Sequence, residues 1–225
     1  MAKIHPEPMP LDNENYKFRR PIQARGQEKF DRILDAADEI VAVNGADDLS
    51  LYDIAEKAGV AVGSVYHFFP STHAVLVALV ERYDSRFQQL VQTAPHGTMN
   101  SWQDVIWFQT EQSRNYINST PGAIIMILGS GQTWATRLAD EKGDQRIAED
   151  MAKAIERFFV LPTNPPAEDL LFNSIRMLEA LWATSYIRHG EVTGGYAKET
   201  HKAIVAYLSQ YWPPFLEPTR QPATE

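Results

Sequence analysis

An all-α protein is expected for this 225-residue chain. Apolar residues recur at three- and four-residue spacing, strand-type alternation is missing, and Pro and Gly gather into short breaks between stretches of helical length. The breaks fall before Lys17, at 95–97, at Pro121 and Gly122, at 162–166, at 190–195 and after Trp212. The pattern divides into an N-terminal three-helix helix-turn-helix unit with a connecting helix, followed by a helical bundle. We place the boundaries at 1–24 for a flexible basic N-terminal arm, 25–91 for the helix-turn-helix domain and connecting helix, and 92–225 for the bundle.

The first helix is carried by Phe30, Ile33, Leu34, Ala37, Ile40 and Val41 and stops at Asn44 and Gly45, a C-terminal signal. Ser50 stands as an N-cap before the next helix. Within LYDIAEKAGVAVGSVYHFF, the spacing of Ala55, Gly59 and Val65 meets three demands of a helix-turn-helix. The first must be small where the helices cross, the second left-handed at the turn, and the third apolar to anchor the second helix. Ile54, Ala58 and Val60 complete the apolar face. Phe68, Phe69, Pro70 and Ser71 read as an aromatic corner and a cap, after which Val75, Leu76, Leu79, Val80 and Tyr83 carry a longer connecting helix. Further helices are expected at about 101–119, 123–140, 145–160, 167–189 and 195–211. Gly129 and Gly131 mark a kink or a close helix contact inside the second of these.

The stretch from Arg32 to Leu76, about a fifth of the chain, resembles the N-terminal pattern of the TetR family of transcriptional regulators without a gap; IAEKAGVAVGSVYHFF is its densest part. The resemblance implies a sequence-specific DNA-binding regulator, most often a repressor. It also implies a small-molecule effector, and a homodimer formed through the last two helices that meets a pseudo-palindromic operator in double-stranded DNA. Thr72 departs from the Lys usual in the family at that position, and Val62 from its frequent basic or polar residue.

Charge argues against a broad basic face. The net charge is −8, and between Lys17 and Arg32 six basic residues against Glu28 and Asp31 leave +4, whereas Lys57 is the only Lys or Arg from Ile33 to Glu81. Phosphate contacts are therefore expected from Arg19, Arg20 and Arg25 of the arm and from the hydroxyls of Ser50, Tyr52, Ser64, Tyr66 and Thr72. Ala61 and Val62 suit thymine methyl groups, Gly63 allows close backbone approach, and His67 has a donor for a base or phosphate. Tyr66 resembles the family's phosphate-contacting tyrosine and equally suits packing in the small core.

The second half is rich in aromatics and Met. A pocket for a small apolar or aromatic effector is expected beside the glycine break, lined by Trp102, Phe108, Met126, Gln132, Trp134, Asn173, Met177 and Trp182. Leu170, Leu171, Ser174, Leu178, Leu181 and Ser185, then Tyr196, Ile204, Val205, Leu208 and Tyr211, form the stripe offered for dimer pairing. The histidines show no metal-ligand spacing, there is no Cys, and no nucleophile-elbow or P-loop motif occurs. No enzyme activity, cofactor or metal is expected. With no apolar run of signal-peptide or membrane-span length, the expected location is the cytoplasm. The alternative is a helical small-molecule-binding or interaction protein without operator affinity.

Overall fold

The computed structural model describes residues 16–93 and 99–219. These form helices α1 (Ala24–Asn44), α2 (Leu51–Ala58), α3 (Val62–Phe68), α4 (Thr72–Gln92), α5 (Trp102–Ser119), α6 (Pro121–Leu128), α7 (Trp134–Glu156), α8 (Ala167–His189) and α9 (Gly194–Leu208). The only strand-like pairing among the described residues is an isolated bridge between Phe159 and Pro218.

The N-terminal unit forms as its spacing demands. Gly59 ends α2 in the left-handed conformation at φ 62° and donates to the carbonyls of Ala55 and Glu56, satisfying acceptors that the helix end leaves open. Ser50 caps α2 by accepting from the Tyr52 amide, and Ser71 caps α4 by accepting from the Ala74 amide. Val65 on α3 is fully buried and reaches one continuous core with Ile33, Ala37, Ile54 and Phe69. Arg32 locks α1 onto the turn, its guanidinium donating to the carbonyls of Ala58 and Gly59.

Helix α4 belongs to both halves. Val75, Leu76, Leu79 and Val80 are buried with the helix-turn-helix core, whereas Val91, near the other end, packs with Ile147 and Ala154 of α7. Asp38 of α1 accepts from the Tyr83 hydroxyl at 2.6 Å and from Arg82 at 3.0 Å, both on α4. Gly122 of α6 closes this junction: a Cβ there would lie 1.8 Å from Asp38 Oδ1. The helices α1, α4 and α6 are therefore interlocked where the N-terminal unit meets the bundle.

Two expectations about helix ends are corrected. The chain does not continue as one helix through Gly129 and Gly131; it stops at Leu128 and restarts at Trp134. The amides of Gly129 and Gly131 both donate to the Ile125 carbonyl, and a Cβ at Gly129 would meet that oxygen at 2.7 Å. Thr133 and Thr136 then form a reciprocal capping box that starts α7. Conversely, the expected gap between 140 and 145 is filled, since α7 runs without a break through Gly143, which is held against α4.

The described part of the arm makes contacts with the helix-turn-helix unit. Phe18 stacks near Phe30 and Phe69 at 6.0 and 5.9 Å, and the Arg19 amide donates to the Phe68 carbonyl at 2.8 Å, at the end of α3. An apolar residue in a basic stretch has anchored the backbone. Residues 1–15 of the arm, and 94–98 beside the expected domain boundary, lie outside the described residues.

Candidate functional site

The first candidate surface is the outer face of α2 and α3. Tyr52 and Tyr66 are 64% and 47% exposed, with ring centroids 6.5 Å apart edge to face. Tyr66 is therefore not sealed in the small core. Ala61 is the N-cap of α3 rather than its first residue; it is exposed, as are Gly63 and His67, while Val62 and Ser64 are half-buried. Val62 packs partly against the core. Gly63 has open space around its missing Cβ and no positive φ, so the fold itself does not require glycine there, although glycine weakens a helix relative to alanine by about 1 kcal/mol.

Several basic residues are already engaged. Arg20 pairs with Glu81 at 2.5 Å and lies over the Phe18 ring, Lys57 pairs with Glu39 at 2.7 Å, and Arg32 serves the α2 terminus. Lys29 reaches Ser64 Oγ at 3.5 Å. Among the described residues, Arg19 and Arg25 have guanidinium groups with no protein partner, and both side chains are exposed. Thr72 begins α4, half-buried.

The expected pocket residues are scattered. Trp102 is fully buried, donates its indole N–H to the Pro213 carbonyl at 3.0 Å, and meets Trp212 edge to face. It clamps the C-terminal segment. Met126 lies in the main core, and Gln132 donates to the Ile127 carbonyl and accepts from Arg137, filling in for lost helix bonds at the break. Trp134 is 47% exposed and lines an open groove with Lys17, Phe18 and Arg20. Asn173 donates to the Tyr207 hydroxyl at 3.0 Å, Met177 packs on the second core, and Phe108 is half-buried on α5. Helical periodicity identifies which residues are apolar; it does not say which neighbour each one meets.

A cavity of about 70 Å³ instead lies between α4, α5, α6, α7, α8 and α9, and of the eight residues named for a pocket Trp182 is on its wall. Phe87, Ile106, Ile117, Ile127, Ile147 and Leu178 make it apolar, and one end carries Asp84, Asp140, Asp144 and Glu179. Arg176 answers three of these acids, reaching Asp140 at 3.3 Å, Asp144 at 2.6 Å and Glu179 at 2.7 Å. Asp84 is 1% exposed and its Oδ2 has no partner; Gln109 Oε1 and Trp182 Nε1 on the same wall are likewise buried and unpartnered.

Burial is the main force on these carboxyls. It pushes Asp84 up to about 9, reinforced by the nearby Asp140 and Asp144. Burial, with Asp140 beside it, raises Asp144 to about 7 against the pull of Arg176. Burial also raises Asp140, against Arg176, and raises Glu179 well above the usual carboxylate range, with Asp144 and Asp140 adding to the effect. Burial, with the acids' mutual repulsion only partly offset by Arg176, makes the cluster hold protons near neutral pH. In the sequence, the i, i+4 spacing of Asp140 and Asp144 and the lone Asp84 in the apolar stripe of 74–91 were its only signals.

The described residues thus form a helix-turn-helix with two exposed tyrosines, joined through one shared helix to a bundle with an internal cavity. Residues 33–79 match the family described as bacterial regulatory proteins, tetR family. The match runs from α1 through the helix-turn-helix into the first part of α4. It is 34% identical over 82 residues to the uncharacterized HTH-type transcriptional regulator YvdT of Bacillus subtilis, a match covering 36% of this chain and 41% of that protein. It is 24% identical over 163 residues to the HTH-type transcriptional repressor KstR of Rhodococcus jostii, covering 72% of each. The fold is similar to that of a TetR-family transcriptional regulator from Streptomyces coelicolor, with a TM-score of 0.68 and 20% identity over 83% of this chain and 99% of that one.

Proposed function

We propose that this chain is a transcriptional repressor that binds a pseudo-palindromic operator as a homodimer in the cytoplasm and is released by a small molecule held in the bundle cavity. The observation that carries this reading is the course of α4: Val75 to Val80 anchor the helix-turn-helix, and Asp84, Phe87 and Val91 form part of the cavity wall. A ligand that prefers a wider cavity shifts α4, and through the Asp38 junction α1, away from the spacing that suits DNA. Its effect equals its differential affinity for the two arrangements; coupling of about 1–3 kcal/mol corresponds to roughly 5- to 150-fold in operator affinity.

Part of the stripe offered for pairing on α8 and α9 is sealed inside the protomer, whereas Leu178, Leu181, Tyr196, Val205 and Tyr211 keep exposed surface. Leu170, Leu171, Ser174, Ser185, Ile204 and Leu208 are buried within the protomer. Asn173, Met177, Ala180, Leu181, Thr184 and Ile187 remain half-buried or exposed at helical spacing on α8, a small and largely apolar face that suits a two-fold partner.

A mobility-shift assay with DNA from upstream of the chain's own gene tests the reading. A shifted band is expected; no shift with any upstream fragment would favour the alternative of a helical binding protein without operator affinity. Because their guanidiniums are unpaired, replacing Arg19 and Arg25 by Ala should flatten the dependence of log affinity on log salt. The expected change is about 0.9 units of slope for each phosphate that the arm no longer neutralises. An unchanged slope would assign phosphate binding to other groups.

A further inference from the structure

The cavity joins an apolar body to an acidic end that its own cation does not balance. Two of its unpartnered polar atoms, Asp84 Oδ2 from α4 and Gln109 Oε1 from α5, are hydrogen-bond acceptors buried in the wall. The third belongs to the indole of Trp182, whose ring offers a face to positive charge. A buried acceptor without a donor is costly, so Asp84 and Gln109 are short of a donor, while the Trp182 N–H lacks an acceptor. We propose that this cavity takes a compact organic cation, with its ammonium between Asp84 and Gln109 and its hydrocarbon part against Trp182, Ile127 and Leu178. This deepens the ligand-responsive reading and rests on it.

The geometry favours an organic cation over a metal ion. The oxygens of Asp140, Asp144 and Glu179 lie within 4.8 Å of one another, close enough to share an ion, but Arg176 already pairs with all three. A metal there would have to expel the guanidinium. A cation at Asp84 meets no such competitor, and the apolar walls give it what a hydrated metal ion would not use. The free space is several times what one water needs, about 10–15 Å³, so a small amine fits and a larger one must spread the helices.

Binding should release a proton. The groups acting on Asp84 are Asp140, Asp144 and Arg146 of α7 and Glu81 of α4 itself; Arg176 and Glu179 of α8 complete the cluster. Asp84 holds its proton up to about pH 9, and a cation seated on it favours the ionised form. Affinity should therefore rise between pH 6 and pH 8, by at most about tenfold per unit for one proton displaced.

The test is calorimetric titration of the full-length protein with benzylammonium, benzyl alcohol and benzoate, then with magnesium and manganese. Benzylammonium should bind at least about tenfold more tightly than benzyl alcohol, more tightly at pH 8 than at pH 6, and benzoate not at all. Asp84→Asn should abolish the preference while leaving benzyl alcohol binding in place; Glu179→Gln provides a second variant should the first fail to fold. Equal binding of benzylammonium and the alcohol, binding of benzoate or of none of the three, or a metal response lost with Glu179→Gln but not with Asp84→Asn would overturn the inference. A parallel operator-binding assay separates the two readings. Benzylammonium binding without DNA release would sink only the regulatory reading, whereas release by a neutral ligand alone would sink only the cation.

Discussion

Arg176→Met should lower the stability of the fold by about 3–5 kcal/mol at pH 8, the range for removing one partner of a buried ion pair. Among the described residues the guanidinium, itself 29% exposed, is the group paired with Asp140, Asp144 and Glu179, whose side chains are 5%, 5% and 14% exposed. Burial disfavours its charge, and Glu179, Asp144 and Asp140 more than restore it, so it remains protonated throughout the working range. The pH dependence follows from the acids. Their folded pKa values are raised, so in the unfolded chain they ionise first, near pH 4, and the penalty for keeping them buried grows as pH rises from there. Without Arg176 that penalty steepens. Urea denaturation should show a large loss at pH 8 that shrinks toward pH 4, where protonated carboxyls need no counterion. A loss independent of pH would mean that the arginine acts through its packing alone.

Gly143→Ala should also destabilise the protein, although alanine is the better helix former by about 1 kcal/mol. A Cβ at Gly143 would lie 2.0 Å from Asp84 Oδ2, 2.3 Å from its Cγ and 2.8 Å from its Cβ. The aspartate is too short to swing clear, so α4 and α7 must separate, at a cost of about 1–3 kcal/mol. Combining the change with Asp84→Ala should recover part of the loss, because Cγ and both oxygens are gone while the Cβ clash remains. The recovery is read as a non-additive term in a double-mutant cycle of thermal or urea melts. A single variant as stable as the parent would show that the helices have room to spare.

Together the two substitutions examine the same place from opposite sides: one removes the cation that holds the acids, the other forces apart the helices that bury them. In the proposed regulatory reading the place matters because α4 connects it to the helix-turn-helix. A change in the cluster that leaves stability nearly intact but alters operator binding would be felt through Tyr83 and Arg82 at the Asp38 junction.

Local and periodic features were legible in the chain itself. Ser50, Ala55, Gly59 and Val65 act over a few residues each, through a cap, a crossing, a left-handed turn and an apolar plug, so their spacing alone declares the N-terminal unit. The helices α1, α4, α5, α8 and α9 follow equally from period and breaks, because an amphipathic stripe needs no knowledge of its partner, whereas the break between α6 and α7 was set in the wrong place. The cavity was not legible. Asp84, Asp140, Asp144, Arg176 and Glu179 come from α4, α7 and α8 and are brought together only when those helices pack, so no spacing along the chain marks them as one site. Trp102 and Trp134, alike as aromatics in the sequence, end as a sealed core residue and a half-exposed groove wall for the same reason. Gly143 reads locally as a helix breaker; the close approach of α4 makes it a necessity inside α7, since burial and contact are properties of pairs of helices that one helix's sequence does not contain.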